Sequence, residues 1–174
     1  MKRLGLIVAL VALAAPEVAT AQQACITAPE AEAMTLVAMP DILRETGRVC
    51  GARLPANSLI RGGGSLISKY ESAADQAWPA ARAAIVKLSD PAIDTLLQSD
   101  YARPLLTSLL VPFIVGRIGL EDCGTIDRLV TQLAPLPPRN MAGVVVTALQ
   151  YLKTEKARGR QVAVPDLPLC TNGN

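Results

Sequence analysis

The prolines of this chain sit where they start or bend helices, and that restricts the fold more than any other feature. Proline has a fixed φ and no N–H, so it is harmless in a first helical turn and disruptive inside a helix or a central strand. Pro29, Pro91 and Pro104 each fall in the opening turn of an apolar-periodic stretch. The first follows a Thr27-x-x-Glu30 capping box, and the others follow Asp90 and Asp100 as expected N-caps. Pro40, Pro79 and Pro112 fall inside such stretches and predict bends or breaks. No convincing strand pair or repeat interrupts the pattern, so the expected fold is an all-α bundle of about six or seven short, proline-bounded helices.

In detail, residues 28–39 read as a first helix. Pro40 folds the chain back into a second piece that runs through Ile42, Leu43 and Val49 towards Gly51. Residues 51–64 form the longest non-periodic connection. Its glycine run, Gly62 to Gly64, reads as a hinge, with Ser65 as the cap of the next helix. Leu66, Tyr70, Ala74, Ala77, Ala81, Ile85 and Leu88 then recur at spacings of three and four, the clearest amphipathic helix in the chain. A short helix over residues 91–98 leads to "PLLTSLLVPFIVG", apolar on nearly every face and expected to be the central buried helix. Glu121 and Asp122 open a helix with Ile126, Leu129, Val130 and Leu133 on one face. After the stiff "APLPPRN" connector, Asn140 caps a last helix ending at Gly159, followed by an extended tail.

The N-terminus reads as an export leader. Lys2 and Arg3 precede an apolar run over residues 4–15, and Ala19-Thr20-Ala21 is a small-x-small cleavage site. Cleavage after Ala21 takes 21 of 174 residues and leaves 153 as a single helical domain, 22–174. It removes Lys2, Arg3 and Glu17, which takes the formal charge from +2 to +1. A nearly neutral surface offers no electrostatic reason for a nucleic-acid partner. The expected location is periplasmic or secreted. An integral membrane span is not expected, because only thirteen residues separate Arg103 from Arg117 and Pro112 interrupts them.

Cys25, Cys50, Cys123 and Cys170 all come after the leader, and an even count in an exported chain predicts two disulfides. Gln22 stands where a lipidation signal carries Leu, and no CxxC pair exists for redox or zinc chemistry. Of the three possible pairings, the hairpin at Pro40 favours Cys25 with Cys50, leaving Cys123 with Cys170 to staple the tail. These loops contribute roughly 3.5 and 4 kcal/mol in the chain-entropy model, which does not itself choose between pairings.

Arg outnumbers Lys and alanine is abundant, a composition that resembles exported proteins of GC-rich bacteria. The phrases "AWPAA" around Trp78 and "PLPPRN" around Pro137 resemble uncharacterised exported helical proteins of bacteria. That resemblance implies no function, cofactor or catalytic residue.

The chain contains no histidine, which excludes Ser-His-Asp and Cys-His catalysis, HExxH zinc chemistry and CxxCH haem attachment. Ser65 and Ser68 stand four and one before Lys69, which misses the Ser-x-x-Lys spacing, and the helical wheel puts Lys69 on the solvated side. The glycine run lacks the Lys-Ser or Lys-Thr of a phosphate loop. The carboxylate pairs Glu30/Glu32, Asp90/Asp94 and Glu121/Asp122 sit at helix starts, where the dipole favours them. "KTEKARGR", from Lys153 to Arg160, is the one basic cluster and ends a helix, where cations are favoured. Pro135 and Pro138 match P-x-x-P but read as a rigid connector, and Trp78 and Phe113 read as core. No catalytic, cofactor or metal residue is therefore assigned. The leading expectation is a non-catalytic binding protein with a protein or envelope partner. The alternatives are a histidine-free hydrolase using carboxylates, or peripheral membrane association through the Arg103–Arg117 helix or the last helix.

Overall fold

The computed structural model describes residues 24–62 and 64–170, with only the backbone of Phe113. The expected leader and Gly63 of the glycine run lie outside these residues. Among them the protein is all-α. It comprises α1 (Ala28–Cys50), α2 (Leu59–Gly62), α3 (Gly64–Leu88), α4 (Ile93–Leu97), α5 (Ala102–Val115), α6 (Cys123–Leu133) and α7 (Pro138–Ala157). Two disulfides complete the frame.

The capping box at the start of α1 is closed by Glu30, whose carboxylate accepts from the Thr27 amide at 2.8 Å and the Thr27 hydroxyl at 2.9 Å. The expected break at Pro40 does not occur. α1 runs unbroken through it, as α3 runs through Pro79. An interior proline costs about 3 kcal/mol in an isolated helix. Here Pro40 is itself fully buried, and Met39 and Leu43 on either side pack with Leu66 and Tyr70 of α3 and Met141 of α7. Burying these side chains, at about 1.5–3 kcal/mol each, outweighs the local penalty. α3 lies antiparallel to α1 and buries Leu66, Tyr70, Ala74, Ala81 and Ala84. Lys87 reaches Glu30 at 2.6 Å near one end of the pair, and Arg44 reaches Glu71 towards the other.

The straight α1 overturns the expected cysteine pairing. Its 23 residues span about 34 Å at 1.5 Å per residue, and a disulfide needs Cα atoms within about 7 Å. Cys25 and Cys50, at opposite ends, are therefore out of reach of each other. Cys25 pairs with Cys170 instead (Cα–Cα 5.0 Å), and Cys50 with Cys123 (5.5 Å). The tail thus returns to the start of α1 rather than to Cys123. There the Ile26 amide donates to Pro168 O at 2.7 Å and the Cys170 amide to Ile26 O at 2.9 Å.

The connection after α1 is more ordered than its sequence suggests. Buried Ser58 heads α2: its hydroxyl oxygen accepts from the Ile60 and Arg61 amides at 3.2 and 3.3 Å and donates to Asp127 at 2.6 Å. Leu54 and Ile60 pack around the Cys50–Cys123 bridge. This places the α2 backbone hard against α1, where a Cβ on Gly47 would stand 2.6 Å from the Ile60 carbonyl oxygen. Gly47→Ala is therefore expected to destabilise by about 1–3 kcal/mol despite the better helix propensity of alanine. A urea midpoint equal to that of the parent overturns this.

Ser65 does not cap α3, because it lies inside the helix, and Asp100 and Asn140 do not cap theirs. The N-cap positions of α5 and α7 are Tyr101 and Pro137. Asp90 does organise the turn before α4, accepting from the Ala92 amide at 2.8 Å. Leu129 of α6 faces solvent instead of joining Ile126 and Val130. Gly159 closes α7 with φ of +86°, a conformation open to glycine.

The largest difference concerns α5. It is not the central helix: that place belongs to α1, along which α3, α7 and α5 all pack. α5 lies along α1 and buries one stripe at spacing four, Thr107, Val111 and Val115, with Ala102 at its start. An all-round apolar helix has no polar face to offer water, yet that alone does not supply neighbours enough to cover it.

Candidate functional site

Two features stand out on the α4–α5 side of the molecule. The first is an open cleft of about 850 Å³ between α1, α3 and α5, lined also by residues 97–100. Trp78 of α3 contributes to its wall while packing on Ala33, Val37 and Ala81, so the ring is part core and part cleft. Three arginines line the cleft, and each is tied to a carboxylate. Arg44 pairs with Asp41 at 2.6 Å and with Glu71, Arg82 with Asp94 at 3.3 Å, and Arg103 with Asp75. These bridges latch α1, α3, α4 and α5 to one another. The cleft also carries Asp41, Glu45 and Asp100, so its charges balance and it is no anion trap. The Arg48 guanidinium holds the Glu45 carboxyl below the usual carboxylate range. That favours the ionised form, whereas a glycosidase-type acid needs the opposite shift.

The second feature is the outer surface of α5. Tyr101, Leu105 and Leu109, at spacing four, are 81%, 62% and 68% exposed, and Leu110 and Ile114 form a second exposed row beside them. Between Arg103 and Arg117 this helix carries no charge at all. Together the two rows expose on the order of 600 Å², the upper end of what a monomer normally leaves uncovered.

The chemistry-bearing residues named from the sequence are dispersed. Ser65 is exposed at the start of α3, and Ser68 donates to the Gly64 carbonyl at 3.0 Å. Lys69, expected in solvent, is half-buried and donates to the carbonyls of Ala134 and Leu136 at 2.8 and 2.6 Å. It satisfies acceptors just past the end of α6, so neither serine has it as a base. Nothing local signals this, since its partners lie 65 and 67 positions away.

Of the carboxylates, Glu30 belongs to the α1 cap and to Lys87. Burial raises its pKa, but the Lys87 ammonium and the Thr27 donors outweigh that and leave it lowered. Asp94 holds Arg82 and accepts from the Gln98 side chain at 3.1 Å, while Asp122 accepts from the Gly119 amide at 3.2 Å. Among the described residues no cluster of three or more Cys, Asp or Glu is gathered as a metal ion requires.

The basic cluster makes internal contacts while its arginines stay exposed. Buried Glu155 binds Arg158 at 2.9 Å and Arg160 at 2.7 Å across the Gly159 turn, and Lys153 donates to the Leu167 carbonyl of the tail. Sequence position suggested cations serving the helix dipole. The structure gives Lys153 to the tail and pairs both arginines with Glu155.

No family model, no curated protein and no solved structure matches this chain. Among the described residues no helix is long and apolar enough to cross a membrane. The functional reading therefore rests on the surface itself.

Proposed function

We propose that this is a periplasmic or secreted bacterial protein that works by binding another protein, not by catalysis. Export is supported by the leader pattern at residues 1–21 and by the two disulfides, which persist in oxidising compartments. The observation that carries the binding reading is the exposed, uncharged outer face of α5. A helix that leaves two leucine-rich rows in water loses the stabilisation their burial provides, and a partner that covers them restores it.

A photo-reactive amino acid at Leu109 in the oxidised, processed protein tests this in its native compartment. A discrete protein adduct is expected at Leu109 and not at exposed Lys156 on the far end of α7. Equal labelling at both positions, or none at either, overturns the reading.

A further inference from the structure

We infer that the Cys25–Cys170 bridge is a latch for the C-terminal tail, opened by thiol–disulfide exchange with a dithiol while Cys50–Cys123 stays closed. The latch is independent of the α5 face and of any partner bound there.

Access separates the two bridges. Cys50 and Cys123 are fully buried, with Leu54, Ile60, Ile118, Ile126 and Val130 packed around them. Cys25 and Cys170 are both part-exposed. Exchange begins only when a thiolate reaches one of the two sulfurs, so access decides which bridge reacts in the folded state.

The two bridges also hold different things. Cys50–Cys123 ties the end of α1 to the start of α6, with α2 packed against it. Cys25–Cys170 ties down residues 161–170, which contain no helix and of which none is fully buried. The remaining anchors of this tail are sparse and gathered close to Cys170. The Ile26 amide donates to Pro168 O at 2.7 Å, the Cys170 amide to Ile26 O at 2.9 Å, and Lys153 to the Leu167 carbonyl. Leu169 packs on Ile26, Ala31 and Val146. A segment with so few buried contacts opens locally at a free energy well below that of the whole fold once its covalent tie is cut.

Opening changes the surface. With the tail in place Ile26 is 1% and Val146 2% exposed, although they lie beneath a single partly buried leucine. Release of Leu169 uncovers an apolar patch between the start of α1 and α7. The oxidation state of one bridge therefore sets whether that patch faces water.

The chemistry balances without any group from the rest of the chain. A thiolate of the dithiol attacks Sγ of Cys25 or Cys170 and forms a mixed disulfide with it, and the other cysteine leaves as a thiolate that takes up a proton. The second thiol of the reductant then displaces the attached cysteine. Two electrons pass to the chain, and the dithiol departs as a disulfide. A disulfide oxidant runs the sequence backwards and closes the latch.

Dithiothreitol acting on the oxidised, processed protein under native conditions, with iodoacetamide trapping and peptide mapping, tests this. Cys25 and Cys170 are expected to take label about tenfold or more faster than Cys50 and Cys123, at a rate that rises with dithiothreitol concentration. In the singly reduced protein, amide exchange should rise at Ile26 and over residues 161–170 and stay unchanged in α1 to α7. Labelling of all four cysteines together, at a rate independent of dithiothreitol, means that reduction waits for unfolding and overturns the latch. So does prior reduction of Cys50–Cys123, or a reduced protein whose tail is as protected as before. Cys25→Ser with Cys170→Ser gives a permanently open form for comparison. It should keep the helical circular dichroism of the parent and reproduce the exchange pattern of the singly reduced protein. Loss of helix in that variant shows that the bridge holds the frame and not the tail alone, which also overturns the inference.

Discussion

Replacing Cys50 and Cys123 together by alanine is expected to lower the free energy of unfolding by about 4 kcal/mol. The bridge closes a loop with a separation of 73 residues, which the chain-entropy model values near the top of the usual range. Both cysteines are fully buried, and Leu54, Ile60, Ile118, Ile126 and Val130 surround them, so two small voids are added to the lost constraint. Without the bridge, the end of α1, α2 and the start of α6 are held together by the Ser58–Asp127 hydrogen bond and these apolar contacts alone.

The bridge between Cys25 and Cys170, with a separation of 145, constrains the unfolded chain at least as much, but its loss should look different. Residues 161–170 gain amide exchange before any helix does, because the tail is otherwise held by a few bonds to Ile26 and Lys153 and by Leu169 packed on the Ile26, Ala31 and Val146 cluster. Denaturant unfolding and hydrogen exchange distinguish the two variants. A Cys50/Cys123 variant as stable as the parent, or a non-reducing peptide map with other partners, overturns the assignment.

Tyr70 should give effects of opposite sign depending on the replacement. It is the largest fully buried side chain, set among Met39, Leu43, Leu66 and Met141, and Tyr70→Ala is expected to cost about 3–5 kcal/mol. Its hydroxyl finds no hydrogen-bond partner among the described residues. A buried polar atom without a partner carries an uncompensated desolvation cost, so Tyr70→Phe is expected to stabilise by about 1 kcal/mol.

The two forms should also differ in alkali. Burial pushes the Tyr70 phenol above its usual range, so the folded state keeps its proton after the unfolded chain has released it. The stability due to the neutral phenol is therefore complete below about pH 10 and declines as pH rises further. Tyr70→Phe removes that decline. Urea midpoints of the parent and Tyr70→Phe proteins, measured near neutrality and in alkali, check both points. A phenylalanine variant less stable than the parent near neutrality means that the hydroxyl is satisfied.

Much of the helical frame is legible from residues close together in sequence. The Thr27 to Glu30 capping box, the Asp90 turn, the periodicity from Leu66 to Leu88 and the Gly159 stop are interactions within one or two turns. Their physical basis, orphan amides at helix starts, one apolar stripe and a left-handed closing residue, depends on neighbours no more than four residues away. The candidate site is less legible. Apolar residues all round α5 are visible in the sequence, but the same pattern serves a buried helix and an uncovered one.

What the sequence determined by itself is the all-α class, two disulfides from four cysteines and the exclusion of histidine chemistry. Tertiary structure alone decided the continuity of α1, and with it the cysteine pairing, because the cost of Pro40 is set against burial by side chains of α3 and α7 that lie far along the chain. It also decided the place of Lys69, whose acceptors become available only where α6 ends against α3. Finally it decided the exposure of α5. Burial is a property of how many elements pack on a helix, and α5 packs chiefly on α1, which leaves it with one stripe covered and two rows of leucine-rich surface facing out.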